Sequence, residues 1–312
     1  MEPSPEPSKV VCIGSATYDS IAVVRGAIAP DVRLAAQDVL QGFGGPAATA
    51  SVALSRLGVP VSFVGGVGDD EQGRSIRGGL EREGVEVSGL HVVPGARSAS
   101  SVIVVDAETG RRAIAAFAGA SLAPALRPED LERCAAAQWV HVDQAGYPAL
   151  ETLRREGIQT PVSLDAGNPV PGLDLAAIAL YSPTESALQA AFGTGDSREA
   201  LRRALAAGAR AVVVTRGAAG SVAAEAAGAA AGGVRFSSAS VPDMGEVVST
   251  LGAGDVFHGA LLAALAGGRE LPEALHYANA AAALSCRALD GRSGIPNAAE
   301  VEALLARLPE AE

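Results

Sequence analysis

The stretch VVSTLGAGDVFHGALLAALAGG, residues 247–268, joins a turn of small residues to an apolar helical pattern. Gly252, Ala253 and Gly254 stand directly before Asp255. Such a helix start exposes backbone N–H groups and the positive end of the helix dipole, so it suits an anion. Asp is a common helix cap, but three small residues are more than a cap requires. The stretch therefore predicts converging N–H groups with a carboxylate beside them.

Around this turn, short apolar runs alternate with longer helical patterns. Buried strands are predicted at VVCIG (10–14), VPVSFVGGVG (59–68) and ARAVVVTRG (209–217), and a helix is predicted at GPAATASVALSRLG (45–58). This alternation predicts an α/β fold: a doubly wound, mostly parallel sheet with helices on both faces.

Two segments interrupt the alternation, at about residues 20–43 and 92–121. The second contains two strand-like runs around the turn DAETG, which is typical of a hairpin. We expect these segments to form a small antiparallel sheet over a cleft at the carboxyl ends of the strands, where open α/β sheets bind ligands.

Composition narrows the classes of function. The chain has 312 residues, of which 48% are hydrophobic, and a formal net charge of -11. This charge argues against an extended nucleic-acid or anionic-membrane surface. The start MEPSPEPSK is typical of a disordered tail (1–8) rather than a signal peptide, and no run is apolar enough to span a membrane. Three scattered cysteines form no CxxC pair, which predicts neither zinc nor disulfides. We expect one cytoplasmic domain over residues 9–308.

Two glycine motifs and the histidines are weaker signals. GDDEQGRS (68–75) has the spacing of a phosphate-binding loop, but its acidic residues would repel phosphate. GFGGPA (42–47) matches a loose dinucleotide pattern without the strand and the acidic residue that it requires. The four histidines form no metal-binding pair, so packing or surface roles are expected, although His258 lies one turn after Asp255.

Four motifs together resemble the ribokinase-like, or PfkB, family of carbohydrate kinases. STLGAGDVFHGALLAAL is similar to the family's G-A-G-D motif, and GGPAATASVALSRLGVPVSFVGGVGDDEQGRS (44–75) is similar to its N-terminal motif. VTRGAAGS (214–221) resembles its nucleotide-side turn, and DGRSGIP (290–296) resembles its C-terminal loop. The resemblance covers roughly residues 9–308, with the motifs in the family's order.

The resemblance implies transfer of the ATP γ-phosphoryl group to a hydroxymethyl group of a sugar or nucleoside. Asp255 would act as the base, and the N–H groups of Gly252, Ala253 and Gly254 would form the anion hole. These parts suit the reaction, because phosphoryl transfer depends mainly on positioning and on stabilising charge, with a base beside the attacking oxygen.

The resemblance assigns further residues to the site. Substrate-binding positions would be Asp19, Gly44, Gly45, Phe117 and Gln144. Nucleotide-side positions would be Thr215, Gly217, Gly220, Thr250, Asn279 and Gly291. Glu185 would act on Mg²⁺ through water. The segments 20–43 and 92–121 would be a β-lid, through which two copies could form a homodimer.

Some positions depart from the family pattern. Pro46 replaces the usual Asn after the glycine pair, Ser182 replaces the Asn of N-x-x-E, and Ser249 replaces an Asp that often helps to hold a monovalent cation such as K⁺. GGPAAT and GRSGIP most resemble the branch that contains sulfofructose kinase. The lid stretch AIAAFAGAS offers a sulfonate no charged partner unless Arg97, Arg111 or Arg112 reaches it.

The expected function is an ATP-dependent sugar kinase. A nucleoside kinase of the same fold and a non-catalytic sugar or nucleotide sensor remain alternatives. The sequence does not identify the substrate or decide whether K⁺ activates the enzyme.

Overall fold

The computed structural model describes residues 8–26, 31, 33–109, 111–121, 125–226, 233–245 and 247–308. The predicted tail lies outside the described residues except for Ser8, and so do residues 27–30, 32 and 110 of the predicted lid segments.

The elements alternate as the apolar pattern predicts. The strands are β1 (Val10–Ile13), β2 (Thr17–Val24), β3 (Ala36–Gly44), β4 (Val61–Gly68), β5 (Leu90–Val93), β6 (Ser100–Asp106), β7 (Arg112–Phe117), β8 (Trp139–Val142), β9 (Val162–Ala166), β10 (Leu180–Pro183), β11 (Ala211–Thr215), β12 (Ser221–Ala226) and β13 (Val234–Ala239). The α-helices are α1 (Pro46–Arg56), α2 (Glu71–Arg82), α3 (Pro128–Ala136), α4 (Ala149–Arg155), α5 (Glu185–Phe192), α6 (Ser197–Ala206), α7 (Ala253–Ala266), α8 (Leu271–Ser285) and α9 (Ala298–Leu305).

The larger sheet has the strand order β13-β12-β11-β10-β9-β8-β1-β4-β5. From β11 to β5 every pairing is parallel, while β12 and β13 are antiparallel additions at one edge. Alternate residues of β1 face two separate cores: Val10 and Cys12 pack with α1, α7 and α8, whereas Val11 and Ile13 pack with α4 and α6. Helices therefore cover both faces, which confirms the predicted doubly wound sheet.

The smaller sheet has the order β3-β2-β6-β7. The β2–β3 and β6–β7 pairs are antiparallel as expected, but the central β2–β6 pair is parallel. Residues 92–99 are not strands of it: residues 92 and 93 end β5, which pairs with β4 at the edge of the larger sheet, and residues 94–99 connect β5 to β6. One face of the smaller sheet buries Ile21, Ile103 and Val105, which pack with Leu251 just before α7. The small sheet thus lies over the start of α7, as a lid would.

Two further expectations from the sequence concern a phosphate-binding loop and a membrane span. The phosphate-loop spacing at residues 68–75 is a helix start, in which the Asp70 carboxylate accepts a hydrogen bond from the N–H of Gly73 and so caps α2. Among the helices in the described ranges, none has the length and apolar character needed to cross a membrane.

Candidate active site

The N-terminus of α7 has the form that an anion site requires. Gly252 is the N-cap residue, with φ 74°, and no side chain caps the helix. The first N–H groups of a helix lack intrahelical partners, so those of Gly254 and Asp255 are open to a ligand, whereas the N–H of Ala253, predicted to belong to the anion hole, donates to the Thr250 carbonyl oxygen at 3.3 Å. The left-handed φ favours glycine, and a Cβ on Gly252 would lie 2.8 Å from the carbonyl oxygen of Gly291. Gly252 thus lets the C-terminal loop pack against the predicted anion hole.

Asp255 is half-buried in the first turn of α7, close to other carboxylates. Burial raises its pKa well above the ordinary range, and the negative charges of Asp165 and Asp143 raise it further, while Arg292 acts in the opposite direction. A carboxylate with a raised pKa is a stronger proton acceptor than an ordinary aspartate. Its environment therefore suits the role of a base.

The predicted sugar side is built around Asp19, on β2. Its carboxylate accepts a hydrogen bond from Thr17 Oγ1 at 2.9 Å, and burial raises its pKa. A Cβ on Gly44 would come within 2.3 Å of an Asp19 oxygen, and one on Gly45 within 2.3 Å of the Ser15 carbonyl oxygen. Gly45, with φ 90° and backbone atoms against it, requires glycine, and a side chain at Gly44 would displace the Asp19 carboxylate, so the structure brings the pair and Asp19 together as predicted.

A buried carboxylate ties this side to the larger sheet. Asp143, after β8, accepts hydrogen bonds at 2.9–3.2 Å from the N–H and hydroxyl of Ser15 and from the N–H groups of Ala47, Ala145 and Gly146. These bonds fix the end of β1 and the start of α1. The neighbouring Gln144, a predicted substrate-binding residue, has a buried Oε1 without a hydrogen-bond partner among the described residues.

The lid strand β7 places Phe117 away from this cluster. Asp19 pairs with Ser101, and Ser101 pairs with Ala116, so Ala116 shares the face of Asp19 while Phe117 belongs to the opposite face. Its ring lies under the guanidinium of Arg97, 4.8 Å from the centroid, and remains 46% exposed. The structure does not bring Phe117 together with the other predicted sugar residues.

Thr250 links the lid to the start of α7. Arg112, on β7, donates a hydrogen bond from Nη1 to Thr250 Oγ1 at 2.9 Å. The preceding Ser249 is buried, and its hydroxyl accepts a hydrogen bond from the N–H of Leu251 at 3.1 Å. Two contacts thus hold the loop before the predicted anion hole: one comes from the lid and the other lies within the loop itself.

The predicted nucleotide side lies at the β11–β12 turn. Thr215 ends β11, Gly217 and Gly220 both have positive φ, and a Cβ on Gly220 would meet the Ala239 carbonyl oxygen at 2.1 Å. Asn279, on α8, donates from Nδ2 to Ser221 Oγ and to the Ala239 carbonyl oxygen. Because both of these acceptors occupy the amide nitrogen, Asn279 supports the β11–β12 turn by holding Ser221 and Ala239 in place.

Glu185 begins α5, and its carboxylate accepts a hydrogen bond from Ser197 Oγ at 2.5 Å. In the part of the chain that the structure describes, no group of three or more His, Cys, Asp and Glu side chains could hold a metal ion. A single carboxylate suits Mg²⁺, which commonly keeps several waters and takes its other ligands from phosphates. The residues present therefore fit a magnesium ion carried in by a nucleotide.

Sequence reasoning missed three residues. Asp165 is the fourth of the five residues of β9 and contacts His258 of α7, with 3.4 Å between Oδ1 and Nε2. Asp143 directly follows β8, and both carboxylates lie at the carboxyl ends of parallel strands, which is the signal that could have identified them. Arg292 is 6% exposed and donates to the Gly44 carbonyl oxygen at 2.7 Å. No pattern around Arg292 indicates that contact, because the two residues are 248 positions apart.

The comparison with known proteins agrees with this geometry. The profile described as "pfkB family carbohydrate kinase" matches residues 7–298. The chain belongs to that family. It is 30% identical to the ribokinase of Bacillus subtilis (strain 168) over 277 residues, which are 84% of this chain and 87% of that protein. The family and the predicted class of activity, an ATP-dependent sugar kinase, are thereby confirmed.

Solved structures show the same fold over nearly the whole chain. A putative ribokinase from Agrobacterium tumefaciens has a TM-score of 0.83 and 31% identity, covering 98% of this chain and 100% of its own. The Arabidopsis thaliana ribokinase complexed with ribose and ATP also has a TM-score of 0.83, with 25% identity, covering 97% of this chain and 99% of its own. The ribokinase-like fold is thus confirmed.

Proposed function

We propose that this sugar kinase transfers the γ-phosphoryl group of ATP to a hydroxymethyl group of a sugar, with Asp255 as the base. The observation that carries the proposal is the position of Asp255, beside uncapped N–H groups and among carboxylates that raise its pKa. The ATP-bound Arabidopsis relative supports the choice of phosphoryl donor.

In the proposed step, the Asp255 carboxylate accepts the proton of the substrate hydroxyl as its oxygen forms a bond to the γ-phosphorus. The bond between that phosphorus and the bridging oxygen of ADP breaks, and the electron pair leaves with ADP. The N–H groups of Gly252 and Gly254 stabilise the negative charge on the transferred group, while the N–H of Ala253 holds the turn by donating to the Thr250 carbonyl oxygen. Asp255 then carries the proton, which it releases before the next turnover.

The other residues orient the reactants. Asp19 accepts hydrogen bonds from sugar hydroxyls, and Gly44 and Gly45 let the sugar approach the backbone. The β11–β12 turn from Thr215 to Gly220, with Asn279 behind it, supports the nucleotide, as does Gly291. Glu185 would hold Mg²⁺ through water, and the ion would neutralise charge on the phosphate oxygens.

The lid provides a surface for a second copy. On the face opposite Ile21 and Ile103, Val39 is 61% exposed and Val102 is 56% exposed. We propose that this face forms a homodimer contact, since apolar side chains grouped on one sheet face mark interaction sites. Cytoplasmic placement remains a prediction from the sequence, and activation by K⁺ is left open by Ser249.

The test is a coupled assay of ADP release with Mg·ATP across D-ribose, D-fructose and adenosine. Asp255→Asn should lower kcat by roughly 10²–10⁴-fold, as loss of a general base does, and leave the fold intact by circular dichroism. Asp243→Asn, an exposed aspartate ahead of α7, is the matched control and should keep the wild-type rate.

Unchanged turnover in Asp255→Asn would disprove the role of the base. A preference for adenosine would favour the nucleoside kinase, and nucleotide and sugar binding without turnover would favour the sensor.

A further inference from the structure

Arg292 is a buried cation on the acceptor side of the cleft that the proposed phosphoryl transfer does not use. Its Nη2 donates to the Gly44 carbonyl oxygen at 2.7 Å, and its Nε donates to Thr49 Oγ1 at 3.3 Å. The guanidinium carbon lies 5.8 Å from the centre of the Phe43 ring. The remaining nitrogen, Nη1, is buried and has no hydrogen-bond partner among the described residues.

The surrounding loop fixes the backbone of Arg292. The N–H of Arg292 donates to Asp290 Oδ1 at 2.8 Å, and its carbonyl oxygen accepts from Arg56 Nη1 at 3.0 Å. Arg56 is itself held by two hydrogen bonds of 2.7 Å to the Glu83 carboxylate. With its backbone held by the loop and its guanidinium bonded to Gly44 and Thr49, the Arg292 side chain loses little further conformational entropy on binding a ligand, so it is preorganised.

An unpaired N–H on a buried charged group is strongly unfavourable. Nη1 has no acceptor among the described residues, so an oxygen atom of a ligand or of a bound water would satisfy it. Burial lowers the pKa of Arg292 to about 10, with Asp19 the leading opposing influence, so the group is charged at neutral pH. Its contacts with Gly44 and Thr49 place it on the side of Asp19 rather than at the β11–β12 turn.

We propose that Arg292 binds the acceptor substrate: Nη1 donates to an acceptor oxygen while Asp19 accepts from a nearby hydroxyl, so that the pair selects an uncharged polyhydroxyl compound. This inference rests on the proposed function and names the substrate class of the same site.

The charge around the pair determines the class. The carboxylates of Asp19, Glu83, Asp255 and Asp290 all act on the charge of Arg292, and of these Glu83 is already paired with Arg56, so one buried cation is surrounded by several anions. A hydroxyl oxygen satisfies Nη1 without adding charge, whereas a sulfonate or carboxylate would be repelled by its surroundings. Of the lid cations, Arg112 is bound to Thr250 and Arg97 lies over Phe117.

The experiment compares Arg292→Gln and Arg292→Lys with Arg287→Gln. Arg287 is a matched control, because it supports the same loop through the Gly294 carbonyl oxygen but is largely exposed. The probes are D-ribose, D-fructose and adenosine, with D-gluconate as the anionic probe. In Arg292→Gln the KM for the acceptor should rise about 10–100-fold, the loss expected for a hydrogen bond from a charged donor, with the KM for ATP nearly unchanged. The KM of Arg292→Lys for the acceptor should lie between those of wild type and Arg292→Gln, and the KM of Arg287→Gln should equal that of wild type.

A second measurement does not depend on how well the variant folds. Monodeoxy analogues of the accepted sugar are tested on wild type and on Arg292→Gln. The analogue that lacks the oxygen bound by Nη1 should have a higher KM than the parent sugar in wild type, but the same KM as the parent sugar in Arg292→Gln. Equal weakening of both proteins by every analogue would overturn the proposal, and would leave a trapped water as the partner of Nη1. A fall in kcat with unchanged KM for the acceptor would also overturn it, and preference for D-gluconate would overturn the uncharged class. Absence of turnover in wild type with every probe would instead contradict the proposed function.

Discussion

Gly252→Ala perturbs one contact at the centre of the proposed site. The residue has φ 74°, and the new Cβ would lie 2.8 Å from the carbonyl oxygen and 2.9 Å from the Cα of Gly291. Both neighbours are backbone atoms, so the two loops must separate by several tenths of an ångström. This separation displaces the N–H groups at the start of α7 from the loop that carries Arg292.

The size of the effect follows from a matched glycine. Gly58, after α1, has φ 82°, and a Cβ there would meet no described atom within 4 Å. Gly58→Ala should therefore lose only the left-handed backbone term, about 1 kcal/mol of unfolding free energy. Gly252→Ala carries the same term and a further ~1–3 kcal/mol for overpacking. Because a displacement of about 1 Å can lower a rate 10²-fold, kcat of Gly252→Ala should fall roughly 10–100-fold.

Urea unfolding of the two variants and wild type gives the stability difference, and ADP release at saturating sugar and ATP gives kcat. Gly58→Ala should retain the wild-type kcat. Equal losses of stability in the two variants, together with normal turnover in Gly252→Ala, would refute the view that contact with Gly291 fixes the anion hole.

Three further outcomes follow from charge and exposure. Asp255→Asn should raise the Tm at pH 8, because a pKa that is raised in the folded state means that the ionised carboxylate destabilises the fold. The gain in Tm should vanish as the pH falls below the ordinary pKa range of Asp, and a lower Tm than wild type at pH 8 would contradict this. Asp165→Asn should move the acid limb of kcat/KM to lower pH, since it removes a charge that raises the pKa of Asp255; an unmoved or upward limb would argue against that coupling. Val102→Asp should shift sedimentation from dimer to monomer, and no change would count against the lid as the dimer contact.

Local sequence order determines how much of the site could be predicted. Gly252 to Asp255 are consecutive, so their shared role at a helix start is visible in four letters, and the strand–helix alternation likewise predicts both cores. The face of a strand residue depends on register, and a shift of one position separates Phe117 from the face of Asp19. Contacts across the chain, such as that of Arg292 with Gly44, leave no local pattern at all.

Hydrogen bonding separates the buried carboxylates into different roles. Burial raises the pKa of Asp143, and the hydrogen bonds that it accepts from several N–H groups and the Ser15 hydroxyl offset only part of that effect; these bonds give it a structural role. Asp165 accepts a hydrogen bond from the N–H of Gly167 at 2.9 Å and contacts the ring of His258. Within the described ranges, Asp255 has charged neighbours but no side-chain hydrogen bond that offsets its burial. Carboxylates whose environments push their pKa values apart can take different tasks, and the one left without donors is the one that gains most by accepting a proton.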